Sequence, residues 1–190
     1  MMNMTFNPEY WDGLAKIKNW NGVCYGFHTE EEFYGFTEPI EDLKDNMVFL
    51  DFGCGPGRIV KTVAPHVKEY IGVDVSEGLI ELAREHHKQY KNVRFVKCSG
   101  TDLSVVEDNS VDYLYERLVL IHVFKEWIIK YVAEFLRVLK SDGILCIPDF
   151  PRADVSTNGF TLEEMNEMLK DFRVVEIDTS GTTYNVKCVK

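Results

Sequence analysis

The stretch Val48 to Val60, VFLDFGCGPGRIV, constrains this chain more than any other. Apolar residues lead to Asp51, glycines recur at alternate positions 53, 55 and 57, and an apolar helical spacing resumes through Ile59, Val60, Val63 and Ala64. That order reads as a buried strand running into a glycine turn and then a helix. Glycines at this density allow left-handed dihedrals and let a backbone come close to a ligand near a helix N-terminus. A phosphate-binding loop would need Lys followed by Ser or Thr after the last glycine, and Arg58-Ile59 stands there instead. The dinucleotide fingerprint G-x-G-x-x-G also differs from the spacing here, which places an acid two residues before the first glycine.

The rest of the chain sets the scale. With 190 residues, 45% hydrophobic and 27% charged, one soluble globular domain is expected. No apolar run approaches the roughly 20 residues of a membrane helix. Residues 1–7 lack a basic segment followed by an apolar one, so a cytoplasmic protein is expected. The cysteines, Cys24, Cys54, Cys98, Cys146 and Cys188, are scattered and mostly within apolar runs, as reduced core thiols are, and no zinc spacing occurs. A net charge of −10 without a basic cluster argues against a sequence-independent grip on nucleic-acid phosphates.

Residues 1–46 are aromatic, acidic and irregular, and read as a helical and aromatic cap. Asn7-Pro8-Glu9 suits a helix start, with Tyr10, Leu14 and Ile17 on one face and Trp11 beside them. A second short helix is expected from Thr29, capped with Glu32 behind Glu30 and Glu31. Strands are expected over 47–52, 69–74, 92–98, 111–115 and 143–147, the last stopping at Pro148. Helices are expected over 57–65, from Ser76 with Leu79, Leu82, Ala83, His86 and Tyr90 inward, over 125–139, and from Thr161 with its capping partner Glu164. A closing hairpin is expected from 172–178 and 184–190. Strands alternating with helices imply parallel crossover units covered on both faces. Ligands of such sheets lie beyond the carboxyl ends of the strands, and Asp51, Asp74, Thr101, Asp102, Glu116, Arg117 and Asp149 all fall there.

The pattern acid-x-Gly-x-Gly-x-Gly over Asp51 to Gly57 resembles motif I of the class I S-adenosylmethionine-dependent methyltransferases. The resemblance extends from about residue 44 to 190: Asp74 matches the acid ending the second strand, Ser99 to Leu103 the adenine-side loop, Asp108 to Val123 the fourth-strand region, and Leu136 to Gly143 the approach to the fifth strand. It implies an α/β, Rossmann-like, doubly wound seven-stranded sheet, mostly parallel with an antiparallel last strand, over residues 47–190. It also implies S-adenosyl-L-methionine as cofactor and S-adenosyl-L-homocysteine as product. Carried onto this chain, it places Asp51, Gly53, Cys54, Gly55, Gly57, Asp74, Val75, Thr101, Asp102 and Glu116 against the cofactor. Asp74 would accept both ribose hydroxyls, Val75 would touch the adenine ring, Asp102 would accept from its exocyclic amine, and backbone amides of Gly53 to Gly57 would approach the methionine portion. His122 is the nearest general-base candidate, with Glu116, Arg117 and Tyr10 as further candidates for the acceptor pocket.

Several subfamily signatures are missing. The sequence has no Asn/Asp-Pro-Pro-Tyr motif, for which Ile147 to Phe150 is a poor substitute, and no Pro-Cys nucleophile. The expectation is methyl transfer to an oxygen or nitrogen of a small-molecule, sugar or carrier-linked acceptor, by a monomer or homodimer, with nucleic-acid substrates a minority reading and no bound metal. Three alternatives stay open: a non-catalytic cofactor-binding partner or sensor subunit, a nicotinamide-dependent oxidoreductase, and a metal-dependent catechol-type enzyme with ligands near Asp149 and Glu116.

Overall fold

The computed structural model describes residues 8–16, 40–156 and 159–190. The expected helix from Thr29, the acidic run Glu30 to Glu32, Ile17 and Cys24 lie outside these residues. The strands are β1 (Val48–Phe52), β2 (Glu69–Asp74), β3 (Val93–Lys97), β4 (Val111–Glu116), β5 (Leu139–Pro151), β6 (Arg173–Asp178) and β7 (Thr183–Val189). The helices are α1 (Pro8–Lys16), α2 (Val60–Val63), α3 (Glu77–His86), α4 (Lys125–Val138) and α5 (Leu162–Met168). The sheet runs β3-β2-β1-β4-β5-β7-β6. Pairings from β3 through β5 are parallel, and β7 is antiparallel to both β5 and β6. The doubly wound sheet follows as expected, with β7, the last strand in the chain, inserted between β5 and the edge strand β6.

Period-two alternation sorts the strand side chains into two apolar layers. Leu50, Phe52, Ile71, Val73, Leu114, Leu145 and Ile147 face one way and pack with Ile128, Tyr131, Val132 and Phe135 of α4 and Met165 of α5. Phe49, Tyr70, Tyr113 and Tyr115 face the other way and pack with Val60 and Val63 of α2 and Ile80 and Ala83 of α3. Strand order reverses between β1 and β4, because β2 and β3 extend to one side of β1 and β4 and β5 to the other. A crevice forms outside the strand ends at such a switch point.

Local signals explain the helix ends. Ser76 caps α3 by accepting from the N–H of Leu79 at 3.1 Å. Thr161 and Glu164 form the expected reciprocal capping box on α5.

Three expectations need correction. The helix placed over 57–65 is only α2, continued by a tight turn over Ala64–His66, because Gly57 is left-handed and Pro65 lacks an N–H. β5 does not stop at Pro148. Its β4 pairing ends at Cys146 and its β7 register shifts between Ile147 and Phe150, so the missing N–H falls in an irregularity and the strand continues to Pro151. On α3, His86 is exposed and His87, just past the helix end, is buried. The chain leaves the helical period there, so one residue's shift turns the second histidine inward.

Candidate functional site

The turn leaving β1 is built from backbone. Gly53, Gly55 and Gly57 all have positive φ, at 72°, 54° and 85°. The Gly53 and Cys54 N–H groups both donate to the Val73 carbonyl, at 2.8 and 3.0 Å. The Gly55 N–H donates to Asp74 Oδ2 at 2.9 Å and the Gly57 N–H to the Cys54 carbonyl at 3.0 Å. Pro56 has no N–H. The turn's N–H groups, expected to approach a ligand, all donate inside the protein. The turn also offers clearance: a Cβ added at Gly55 would meet nothing within 4 Å. At Gly53 the same atom would lie 2.1 Å from Val119 Cγ2, so this glycine permits a close approach between two turns.

Asp74 ties the glycine turn to α3. Its Oδ1 accepts from the Ser76 N–H at 2.9 Å while Oδ2 holds Gly55. Burial raises its pKa, and the N–H donors of Ser76 and Gly55 work against that rise. A carboxylate has about four lone-pair sites, so acceptor capacity remains beyond these two bonds. Asp51 is buried and accepts from the Tyr70 hydroxyl. Cys54 is buried beside it, with its thiol pKa pushed well up by burial and then by the charges of Asp51 and Asp74.

Beyond β3, a polar loop folds on itself. Ser99 Oγ accepts from the N–H groups of Thr101 and Asp102 at 3.1 and 3.3 Å, and Asp102 Oδ1 accepts from the Ser104 N–H at 2.9 Å. Hydrogen bonding, led by Ser104, holds the Asp102 carboxyl below its ordinary range. Val75, next to Asp74, is half-buried and packs against the apolar layer that includes Leu103.

The turn leaving β4 is built from buried acids. Glu116 Oε1 accepts from the N–H groups of Val119 and Leu120 at 2.7 and 2.9 Å, and Asp149 Oδ2 accepts from that of Leu118 at 2.6 Å. Leu118 has φ of 60°. Burial raises both acids, Glu116 further through the charge of Asp149. Arg58 Nη2 donates to the Arg117 carbonyl at 3.0 Å, and Arg117 Nη1 lies 3.5 Å from the Tyr115 hydroxyl. The turn ends in a helical twist over Leu120–His122, where burial lowers the His122 pKa and favours the neutral ring.

Helix α1 crosses from one turn to the other. Asp12 Oδ1 accepts from the Ser76 hydroxyl at 2.5 Å and the Gly78 N–H at 3.0 Å. Trp11 meets His122 edge-on with ring centroids 5.9 Å apart, and Tyr10 packs edge-on against Trp11 at 5.2 Å. The structure thus gathers Asp51, the glycines and Asp74 in one network, and Glu116, Arg117 and His122 in a neighbouring one. Thr101 and Asp102 form a separate loop, and Tyr10 is linked to His122 through Trp11. Sequence reasoning missed Asp12 as the anchor of α1, and it placed Asp149 with Glu116 at the strand ends without giving Asp149 its role in holding the β4 turn. For Asp149 the signal was its place just after the apolar run Ile144 to Ile147. For Asp12 there was none, because an acid in a short helix usually faces solvent.

Residues 50–147, just over half of the chain, match the family model described as a methyltransferase domain. The chain belongs to that family. It is 30% identical over 115 residues to the probable S-adenosylmethionine-dependent methyltransferase CRG1 of Saccharomyces cerevisiae, covering 55% of this chain and 38% of that protein. It is 28% identical over 119 residues to a ubiquinone/menaquinone biosynthesis C-methyltransferase UbiE of Campylobacter jejuni, covering 59% of this chain and 48% of that one. The chain thus spans less than half the length of either curated relative. A solved structure of a SAM-dependent methyltransferase from Aquifex aeolicus superposes with a TM-score of 0.64 at 21% identity, over 97% of this chain and 98% of that one, and shares the fold. This methyltransferase domain is of the class I, Rossmann-like type, whose cofactor is S-adenosyl-L-methionine. Among the described residues no helix is long and apolar enough to cross a membrane.

Proposed function

We propose that this chain transfers a methyl group from S-adenosyl-L-methionine to an oxygen or nitrogen atom of a small-molecule, sugar or carrier-linked acceptor. The observation that carries this reading is the β1 turn, where Gly55 leaves open space beside an Asp74 carboxylate that the same turn holds in place. When bound, the cofactor supplies an electrophilic methyl carbon on a positively charged sulfur, open to in-line displacement.

The residues suit that ligand in the following way. Asp74, with lone pairs left over, accepts the vicinal ribose hydroxyls. The charge of Asp51 suits the ammonium group of the methionine portion, which the backbone of the Gly53 to Gly57 turn would approach. Val75 and the ionised Asp102 suit an adenine ring and its amine. Beyond the β4 turn, His122 stays neutral at physiological pH and suits a base that takes the proton an oxygen or nitrogen acceptor gives up. Trp11 and Tyr10 form an aromatic cover that excludes water, in keeping with residues 1–46 as a cap over a 47–190 domain. Buried cysteines outside any disulfide, Cys54, Cys98, Cys146 and Cys188, support a cytoplasmic setting. The chain would act as a monomer or homodimer, and its −10 charge makes nucleic acid a minor acceptor class.

The likeness to a C-methyltransferase favours a second reading, in which the acceptor atom is carbon. Calorimetric titration with S-adenosylmethionine, S-adenosylhomocysteine and NAD, repeated on Asp74→Ala, tests the cofactor site. Micromolar affinity for the adenosyl ligands that falls at least tenfold in the variant is expected; a preference for NAD would overturn the reading. An acceptor screen with labelled methyl groups then separates the carbon from the oxygen and nitrogen readings.

A further inference from the structure

Glu116 ends β4 and Asp149 lies two residues before the end of the neighbouring strand β5, and both are buried, at 0% and 8% exposure. One oxygen of each carboxyl is committed to backbone N–H groups of Leu118, Val119 and Leu120. The other two, Glu116 Oε2 and Asp149 Oδ1, meet no N–H or hydroxyl donor among the described residues. The N–H donors of the two carboxyls are consecutive in the chain, Leu118 for Asp149 and Val119 for Glu116, which sets the carboxyls side by side. Two acceptor-only groups so placed repel when both are ionised, whereas a single proton between them satisfies both free oxygens.

We infer that Glu116 and Asp149 share one proton and, joined by it, act as positioning residues that hold the Leu118–His122 turn against Gly53. The inference rests on the reading of this edge as the methyltransferase site. A leucine at φ of 60° persists only when its surroundings fix it, and the three N–H bonds to the pair do so. The turn's set reaches the glycine turn directly, because Val119 Cγ2 occupies the space that a Cβ on Gly53 would need. It reaches His122 through the His122 N–H, which donates to the Val119 carbonyl at 2.9 Å.

The charged groups facing the pair are Arg58 from the glycine turn and Arg117 from the β4 turn. Both guanidinium groups favour ionisation of the pair and so act against the shared proton, and burial outweighs them. Burial holds His122 neutral, so that ring adds no charge to the balance near neutral pH. Both acids are raised relative to the unfolded chain, chiefly by burial. Their contribution to stability is therefore complete below the ordinary carboxylate range and is lost as pH rises and the shared proton leaves.

The test is the thermal unfolding midpoint of the ligand-free protein from pH 5 to 9.5, paired with the affinity for S-adenosylhomocysteine over the same range. Wild type is expected to lose midpoint and, by about tenfold, affinity toward the alkaline end. Glu116→Gln keeps an oxygen for Val119 and Leu120 and gives Asp149 a permanent N–H donor, so both alkaline declines should vanish. Asp149→Asn supplies the same donor from the other side and should do likewise if the glutamine variant folds poorly. Glu116→Ala should lower the midpoint at every pH. Amide variants that keep the wild-type decline, or that are as damaged as Glu116→Ala, would overturn the shared proton. Amide variants that flatten the unfolding profile of a protein that binds no adenosyl ligand would support the shared proton and overturn the function proposed for the site.

Discussion

The turns leaving β1 and β4 touch each other, yet they are held by opposite means. The β1 turn is set by main chain: three left-handed glycines and N–H groups donating to the Val73 and Cys54 carbonyls and to Asp74. The β4 turn is set by side chains, with two buried carboxyls gathering the N–H groups of a left-handed leucine and its two successors. Backbone bonds do not titrate, so the first turn responds to pH only through the side chains that hold it, Asp74 at Gly55 and His87 buried beneath Gly57, with Nε2 3.2 Å from the Pro56 carbonyl. The second turn rests on acids alone. The first turn is thus the one expected to loosen as pH falls, through His87, while acids raised by burial act on both as pH rises.

The contact between them is the place to break this arrangement. Gly53→Ala puts a methyl group 2.1 Å from Val119 Cγ2 in a backbone region that L-residues avoid, and should cost about 3 to 5 kcal/mol in a denaturant titration. Adding Val119→Ala separates the two causes. The double variant should recover the steric part and keep the roughly 1–2 kcal/mol of backbone strain. Full recovery would mean that Gly53 is needed only for its neighbour, and no recovery that the turns do not press on each other at all.

A smaller effect distinguishes the supports. Burial lowers the His87 pKa from 6.5 to about 4, so the unfolded chain takes up a proton there before the folded chain does. His87 therefore costs stability progressively as pH falls from 6.5 to about 4. His87→Gln keeps an N–H able to reach the Pro56 carbonyl and removes the titration. Its unfolding midpoint should fall less steeply than wild type across that window while the alkaline decline remains. An unchanged acid slope would show that the glycine turn's support lies elsewhere.

The same contrast explains what could be read from sequence. The β1 turn was legible because its determinants are local: an apolar run, an acid and glycines within the ten residues Val48 to Gly57, in a spacing that few other structures need. The strand and helix order followed from periodicity, and the capping box at Thr161 from a fixed four-residue pattern. The β4 turn was only half legible. Glu116 and His122 stood out as polar residues after a strand, but the pairing of Glu116 with Asp149 depends on β5 lying beside β4 and running on through Pro148. Nothing within a local window encodes that continuation. Asp12 was illegible for the same reason, since its donors, Ser76 and Gly78, lie 64 and 66 residues away. The exchange of His86 for His87 turned on a single residue at a helix end, where periodicity is weakest.

The smallest structural effect carries the sharpest functional consequence. Gly55 has φ of 54°, but a Cβ there would meet no protein atom within 4 Å. Gly55→Ala should therefore cost only backbone strain, roughly 1–2 kcal/mol, and leave both turns in place. The added methyl group projects into the open space beside Asp74 that the proposed cofactor would fill. If that space is the ligand's, affinity for S-adenosylhomocysteine should drop by tenfold or more although the protein is nearly as stable as before. If affinity is untouched, the clearance at Gly55 serves the turn alone and the ligand lies elsewhere along the strand ends. Gly53 and Gly55 sit two residues apart, yet one is required by another part of the protein and the other, on this reading, by a molecule outside it.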